Sequence, residues 1–60
     1  MWFVHCMTKD LATRLMPILD GLPVGVLSVD SGDTDTHVKI TASEDVANVI
    51  HDAGFHVAEA

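Results

Sequence analysis

Segments with the apolar pattern of a β-strand alternate along this chain with segments that have the apolar spacing of an α-helix. The order of these segments is compatible with few folds. Residues 1–7 are mostly apolar and predict a strand, and helical spacing of apolar residues follows from Lys9 to Gly21. Val24 to Asp30 predicts a second strand. From Thr36 to Thr41 apolar and polar residues alternate, which is typical of a strand with one buried face.

Residues that start, stop or bend chain elements fall between these segments. Thr8 and Ser43 stand where side-chain caps are expected before two helices. Pro17 lies inside the first helical segment, and because it lacks a backbone N–H it predicts a kink or a late start there. Ser31 to Asp35 is rich in turn-forming residues and predicts a hairpin loop, while Gly54 predicts the end of the second helix.

A second helix and a short last strand complete the pattern. Apolar residues recur at i, i+3, i+4 and i+7 from Val46 to Ala53, and residues 55–57 alternate as in a strand. The resulting βαββαβ order predicts an α+β, ferredoxin-like fold, with both helices on one face of a four-stranded antiparallel sheet and the other face open. The predicted core consists of Trp2, Val4, Leu15, Leu19, Leu22, Val26, Val29, Val38, Ile40, Val46, Val49, Ile50, Phe55 and Val57.

Length and composition narrow the class of protein. Sixty residues (1–60) make a single domain, and one cysteine, Cys6, rules out an intramolecular disulfide. Nine acidic residues against three basic ones give a net charge of -6, which argues against a nucleic-acid partner. No apolar run reaches the about 20 residues of a membrane span, so we expect no membrane association and a cytoplasmic location.

Three segments carry motifs that occur in the same order in one protein family. The sequence LPVGVLSVD at residues 22–30 is similar to an LPGV-x-SV-x segment, with one extra residue at Val24. IHDAGFHV at residues 50–57 is similar to an I-x-x-AGF-x-V ending, and Met7 with Thr8 is similar to the MT of a GMTCxxC metal loop. The chain thus resembles, over nearly its whole length, the heavy-metal-associated family of copper chaperone-like domains. That resemblance implies the ferredoxin-like fold.

The paired cysteines of that family are missing here. Anchoring the loop on Met7 and Thr8 puts the two cysteine positions at Lys9 and Ala12, and anchoring it on the helix puts them at Thr8 and Leu11. Two-coordinate Cu(I) binding depends on two soft sulfur ligands, and the Lys9 ammonium would repel a cation. The resemblance therefore implies the fold and not the metal-transfer function.

Three histidines offer a different metal site. His5 ends the first strand, His37 opens the third and His56 opens the last, and alternation points all three side chains to the open face of the sheet. Because the first strand lies between the other two, we expect the imidazoles to converge, with Cys6 as a further candidate ligand. Such a set would suit Zn²⁺, Ni²⁺ or Cu²⁺. The alternative is that the histidines are separate surface residues and that Cys6 packs as a small hydrophobic residue.

Three functions are compatible with the sequence. No nucleophile–base set, phosphate-binding loop or paired-carboxylate site is present, so we expect no enzyme. The first hypothesis is a protein-interaction module that contacts a protein partner or forms a homodimer. The second is a divergent metal-binding protein that uses the histidines. The third is a small-ligand regulatory domain resembling the ACT family, although Asp10 is followed by Leu11 and not by that family's Asp/Asn-x-Pro-Gly turn.

Overall fold

A four-stranded antiparallel sheet and two helical segments form the α+β, ferredoxin-like architecture in the computed structural model, which describes residues 1–60. In chain order the elements are strand β1 (Trp2–Met7), helix α1 (Thr8–Asp10), a π-helical turn (Leu11–Leu15), helix α2 (Met16–Asp20), strands β2 (Gly25–Ser31) and β3 (Asp35–Thr41), helix α3 (Glu44–Asp52) and strand β4 (His56–Glu59). The strand order is β2-β3-β1-β4, so β2 and β4 are the edges of the sheet.

The register of the sheet places β1 between β3 and β4, as the topology predicts. Val4 of β1 lies opposite Val38 of β3 and Val57 of β4, and the side chains of Val4 and Val38 are fully buried. Because side chains alternate along a strand, this pairing fixes which residues face the helices. The register of β2 against β3 shifts between Val26 and Ser28, which leaves Leu27 as an extra residue in the edge strand.

The helical segment from residue 8 to residue 20 begins earlier than predicted and is disturbed before its proline. Thr8 is the first helical residue and not the side-chain cap, because its hydroxyl donates to the carbonyl oxygen of Gly32 (2.8 Å) instead. Pro17 lies in the first turn of α2, directly after the π-helical turn, where Met16 N–H donates to Leu11 O. The π-helical turn is wider than an α-helical turn and lies just before Pro17. Pro17 has no backbone N–H, and its ring crowds the carbonyl group four residues earlier.

Helix α3 forms as the sequence predicts. The Ser43 side chain accepts a hydrogen bond from Val46 N–H (3.3 Å), which satisfies one of the free donors at the helix start. Gly54 follows the helix with φ of 104°, a backbone conformation that side-chain-bearing residues rarely adopt. None of the helices combines the length and the apolar character needed to cross a membrane.

The buried core is smaller than predicted and lies under β1, β3 and β4. Three residues predicted to be buried are about half exposed: Val26 (45%), Val29 (47%) and Val49 (50%). The two β2 valines are exposed because no helix covers that strand, and the buried cluster contains no β2 residue. Val49 is exposed because α3 turns a neighbouring face, with Ala47 and Ile50, toward the sheet. The buried residues are Val4, Cys6, Leu15, Leu19, Thr36, Val38, Ile40, Ala47, Ile50 and Phe55.

Candidate functional site

The end of β1 and the start of the first helical segment lie where the family resemblance would place a metal loop. Both alignments assign the paired thiolates to positions that are helical here and occupied by residues without sulfur. The sulfur-bearing residues at the end of β1 are Cys6 and Met7, and alternation places them on opposite faces of the sheet. Cys6 is 4% exposed and Met7 is 44% exposed. Both residues line a shallow pocket at this end of the sheet, but no second cysteine is present to form the family's thiolate pair.

The three histidines predicted as metal ligands lie side by side across three strands. His5 in β1 is opposite His37 in β3 on one side and opposite His56 in β4 on the other. The rings of His5 and His37 are closest, with centroids 4.9 Å apart and planes tilted by 48°. All three belong to the face of the sheet that the helices leave open, since Val4 and Val38 face the core.

Two aspartates occupy positions next to the His5–His37 pair in the sheet. Asp35 Oδ1 lies 3.2 Å from His5 Nε2, and Asp30 of β2 is opposite His37 in the sheet register. Sequence reasoning placed Asp35 in the hairpin loop, so its contact with His5 was missed. The signal that could have found it is its spacing, because Asp35 precedes His37 by two residues and therefore shares its face of the strand.

Cys6 is buried on the helix-facing side of the sheet, and it also lines the shallow pocket at the end of β1 that His5 and His56 line. Burial raises the pKa of its thiol, and the nearby Asp10 carboxylate raises it further, so the thiolate that metals bind is disfavoured. Of the predicted set, the sheet places His5 beside His37 and His56, whereas Cys6 belongs to the opposite, helix-facing side. No group of three or more histidine, cysteine, aspartate or glutamate side chains is arranged to hold a metal ion.

Two shallow pockets lie at the surface, and both are smaller than the 300–1,000 Å³ that is usual for a small-molecule site. One, of about 220 Å³, lies at the end of β1 beside His5 and Cys6. Its rim includes Arg14, whose guanidinium is 5.4 Å from the centre of the Phe55 ring and 3.9 Å from an Asp10 carboxylate oxygen. The other, of about 190 Å³, lies between β1 and α3.

The edge strand β2 is the most exposed regular element of the fold. All seven residues of Gly25–Ser31 are exposed, and Leu27 (50%) joins Val26 and Val29 among the large apolar side chains in contact with solvent. Its outer side has no neighbouring strand, so its backbone N–H and C=O groups on that side are free to pair. Comparisons with protein-family models, curated proteins and solved structures find no match for the chain.

Proposed function

We propose that this chain is a non-enzymatic protein-interaction domain that associates with a second copy of itself through β2. The observation that carries the proposal is the uncovered edge strand, which is exposed along its whole length and rich in apolar residues. A free strand edge is a template for another strand, because its unpaired backbone groups gain hydrogen bonds when the sheet is extended.

The usual protections of an edge strand are mostly missing from β2. Natural proteins shield free edges with short strands, lysines, prolines, bulges or a covering helix. Here the strand has seven residues, Asp30 is its one charged residue, and no helix packs on it. The irregularity at Leu27 is the one such feature present. The edge is therefore suited to pairing and only weakly protected against it.

A second copy of the same strand is a chemically matched occupant for this edge. Antiparallel pairing about a two-fold axis brings the same residues together from both sides, so the apolar side chains of Val26 and Val29 would meet apolar side chains. Only one of the nine acidic residues lies on β2, so the repulsion between two copies is concentrated elsewhere on the molecule. Pairing of two β2 strands also closes the assembly at a dimer through this edge.

The small core supports association as a source of stability. Ten of the 60 residues are buried, and the single cysteine cannot form an intramolecular disulfide. Chains of this size often depend on a disulfide, a metal or a partner chain for part of their stability. The chain resembles heavy-metal-associated domains, but Lys9 and Ala12 stand where one alignment places that family's metal-binding cysteines. The lack of these thiolates favours a role in protein contact over metal transfer.

Analytical ultracentrifugation of the untagged chain over a range of concentrations tests the proposal. We expect the mass to rise from monomer to dimer with concentration and then to stop rising. Because each copy has a net charge of -6, association should also strengthen when salt screens the repulsion.

Two matched lysine variants identify the surface involved. Val29→Lys places a charge on the β2 edge and should abolish the dimer. Val49→Lys adds the same charge to an equally exposed valine on α3 and should leave the dimer intact. A wild-type chain that stays monomeric up to about 1 mM would overturn the proposal, because binding weaker than this is too weak for a specific dimer. Equal association of Val29→Lys and wild type would overturn it as well.

A further inference from the structure

We propose that His5 and His37 form a two-histidine site for a divalent transition metal on the open face of the sheet. The site is independent of the proposed self-association, because it lies on β1 and β3 and not on the outer edge of β2. Imidazole nitrogens are good ligands for Cu²⁺, Ni²⁺ and Zn²⁺, and two of them fixed on neighbouring strands can chelate one ion.

The separation of the two rings fits a shared metal ion. A metal–nitrogen bond of about 2.0–2.1 Å places a bound ion roughly 3.2 Å from each imidazole centroid. Two imidazoles on one ion then have centroids about 4.5 Å apart at a 90° ligand angle and about 5.2 Å apart at a tetrahedral angle. The observed centroid separation of 4.9 Å between His5 and His37 lies between these values.

Asp35 orients one of the two imidazoles. Its Oδ1 is 3.2 Å from His5 Nε2. A carboxylate oxygen can only accept, so in the neutral ring Nε2 carries the proton and donates a hydrogen bond to Asp35. His5 Nδ1 is then left as the nitrogen with a free lone pair. Metal-binding histidines usually have such a partner on the second ring nitrogen, which fixes the tautomer and increases the basicity of the ligand.

The charges around the pair also favour a cation. The Asp35 carboxylate contacts His5, and Asp30 is the residue opposite His37 on the neighbouring strand. Lys39 is the basic residue of β3, and its ammonium lies 5.7 Å from the centre of the Phe3 ring. The local charge is therefore negative on balance, in keeping with the net charge of the chain.

His56 provides the matched control for this assignment. It lies opposite His5 as His37 does, but on the β4 side, and no group of three metal-binding side chains is formed. Water would complete the coordination of an ion held by His5 and His37. Cys6 takes no part, because it lies on the other face of the sheet and is buried.

The test is an NMR titration of the untagged, ¹⁵N-labelled chain with ZnCl₂ at about pH 7.5, where a free imidazole is mostly neutral. Spectra that correlate ring protons with ring nitrogens report directly on which nitrogen binds. We expect saturable shifts of the His5 and His37 ring nitrogens, led by His5 Nδ1. Calorimetry with Cu²⁺ and Ni²⁺ should give tighter binding of copper, as the Irving–Williams order requires.

Single asparagine variants then assign the ligands. His5→Asn and His37→Asn should each weaken zinc binding at least about tenfold, whereas His56→Asn should change it by less than about threefold. Dispersed amide spectra confirm that each variant is folded. The proposal is overturned if the histidine rings of the wild type do not respond to about 1 mM zinc. It is also overturned if His56→Asn weakens binding as much as His5→Asn does.

Discussion

Replacing Thr36 by valine should destabilise the fold although it leaves the side-chain volume nearly unchanged. Thr36 is the one fully buried polar residue, and its hydroxyl lies 2.9 Å from that of Thr8 and 3.0 Å from that of Ser31. Thr8 uses its proton to donate to Gly32 O, so Thr36 donates to Thr8 and accepts from Ser31. These groups form a hydroxyl chain (Ser31, Thr36, Thr8) that joins β2, β3 and the first helix.

The expected cost follows from two lost hydrogen bonds. Each contributes about 0.5–1.5 kcal/mol to the free energy of unfolding, and Ser31 can recover part of its loss by bonding to water because it is exposed. We therefore expect Thr36→Val to lower the stability by about 1–2 kcal/mol. For a domain of this size the melting temperature should fall by about 5–15 °C.

Urea unfolding at one fixed protein concentration measures the effect, because self-association would make stability depend on concentration. A double-mutant cycle with Ser31→Ala isolates the Ser31–Thr36 pair, and we expect a coupling energy of at least about 0.5 kcal/mol. A Thr36→Val chain as stable as the wild type would refute the reasoning, since the added methyl would then outweigh the hydroxyl chain. Strictly additive effects of the two substitutions would refute it too.

Two further predictions concern the cap of α3 and the buried thiol. Ser43→Ala removes the acceptor for Val46 N–H and should cost about 1 kcal/mol in thermal or urea unfolding, whereas Ser43→Asn retains a capping group and should cost much less. Burial, with a smaller effect of Asp10, raises the pKa of Cys6, so the unfolded chain loses its thiol proton at lower pH than the folded chain. The stability that this provides is complete below about pH 8.5 and declines at higher pH. Urea unfolding at about pH 7 and 9.5 should therefore show a larger decline for wild type than for Cys6→Ala; equal declines would contradict the assignment to this thiol.

The order of elements and the central register could be predicted because they depend on local patterns. The alternation around Val38, the cap at Ser43 and the glycine at position 54 each determine one boundary without help from distant residues. Together they also predict that β1 lies between β3 and β4, which brings His5 beside His37.

What the sequence did not reveal depends on contacts between distant segments. The apolar residues of β2 resemble those of a buried strand, and only the position of the helices shows that Val26 and Val29 are uncovered. Thr36 is a similar case, because a hydroxyl can be buried only when it is hydrogen-bonded. Its partners, Thr8 and Ser31, come from two other elements and cannot be identified from the local sequence pattern. Pro17 predicts a disturbance of the helix, but the form it takes, a π-helical turn, depends on how the chain packs on the sheet.

The two proposed activities should be separable, because the geometry keeps their sites apart. In a dimer joined edge to edge, the path from His37 to its copy crosses both β2 strands, which is three strand spacings of about 4.8 Å, or roughly 14 Å. One ion, bound at about 2 Å from each nitrogen, cannot bridge that distance. We therefore expect one metal ion per chain and no change in the dimer dissociation constant when zinc is added, as measured by ultracentrifugation. A dimer that forms only with zinc would place the histidines at the interface and would contradict association through β2.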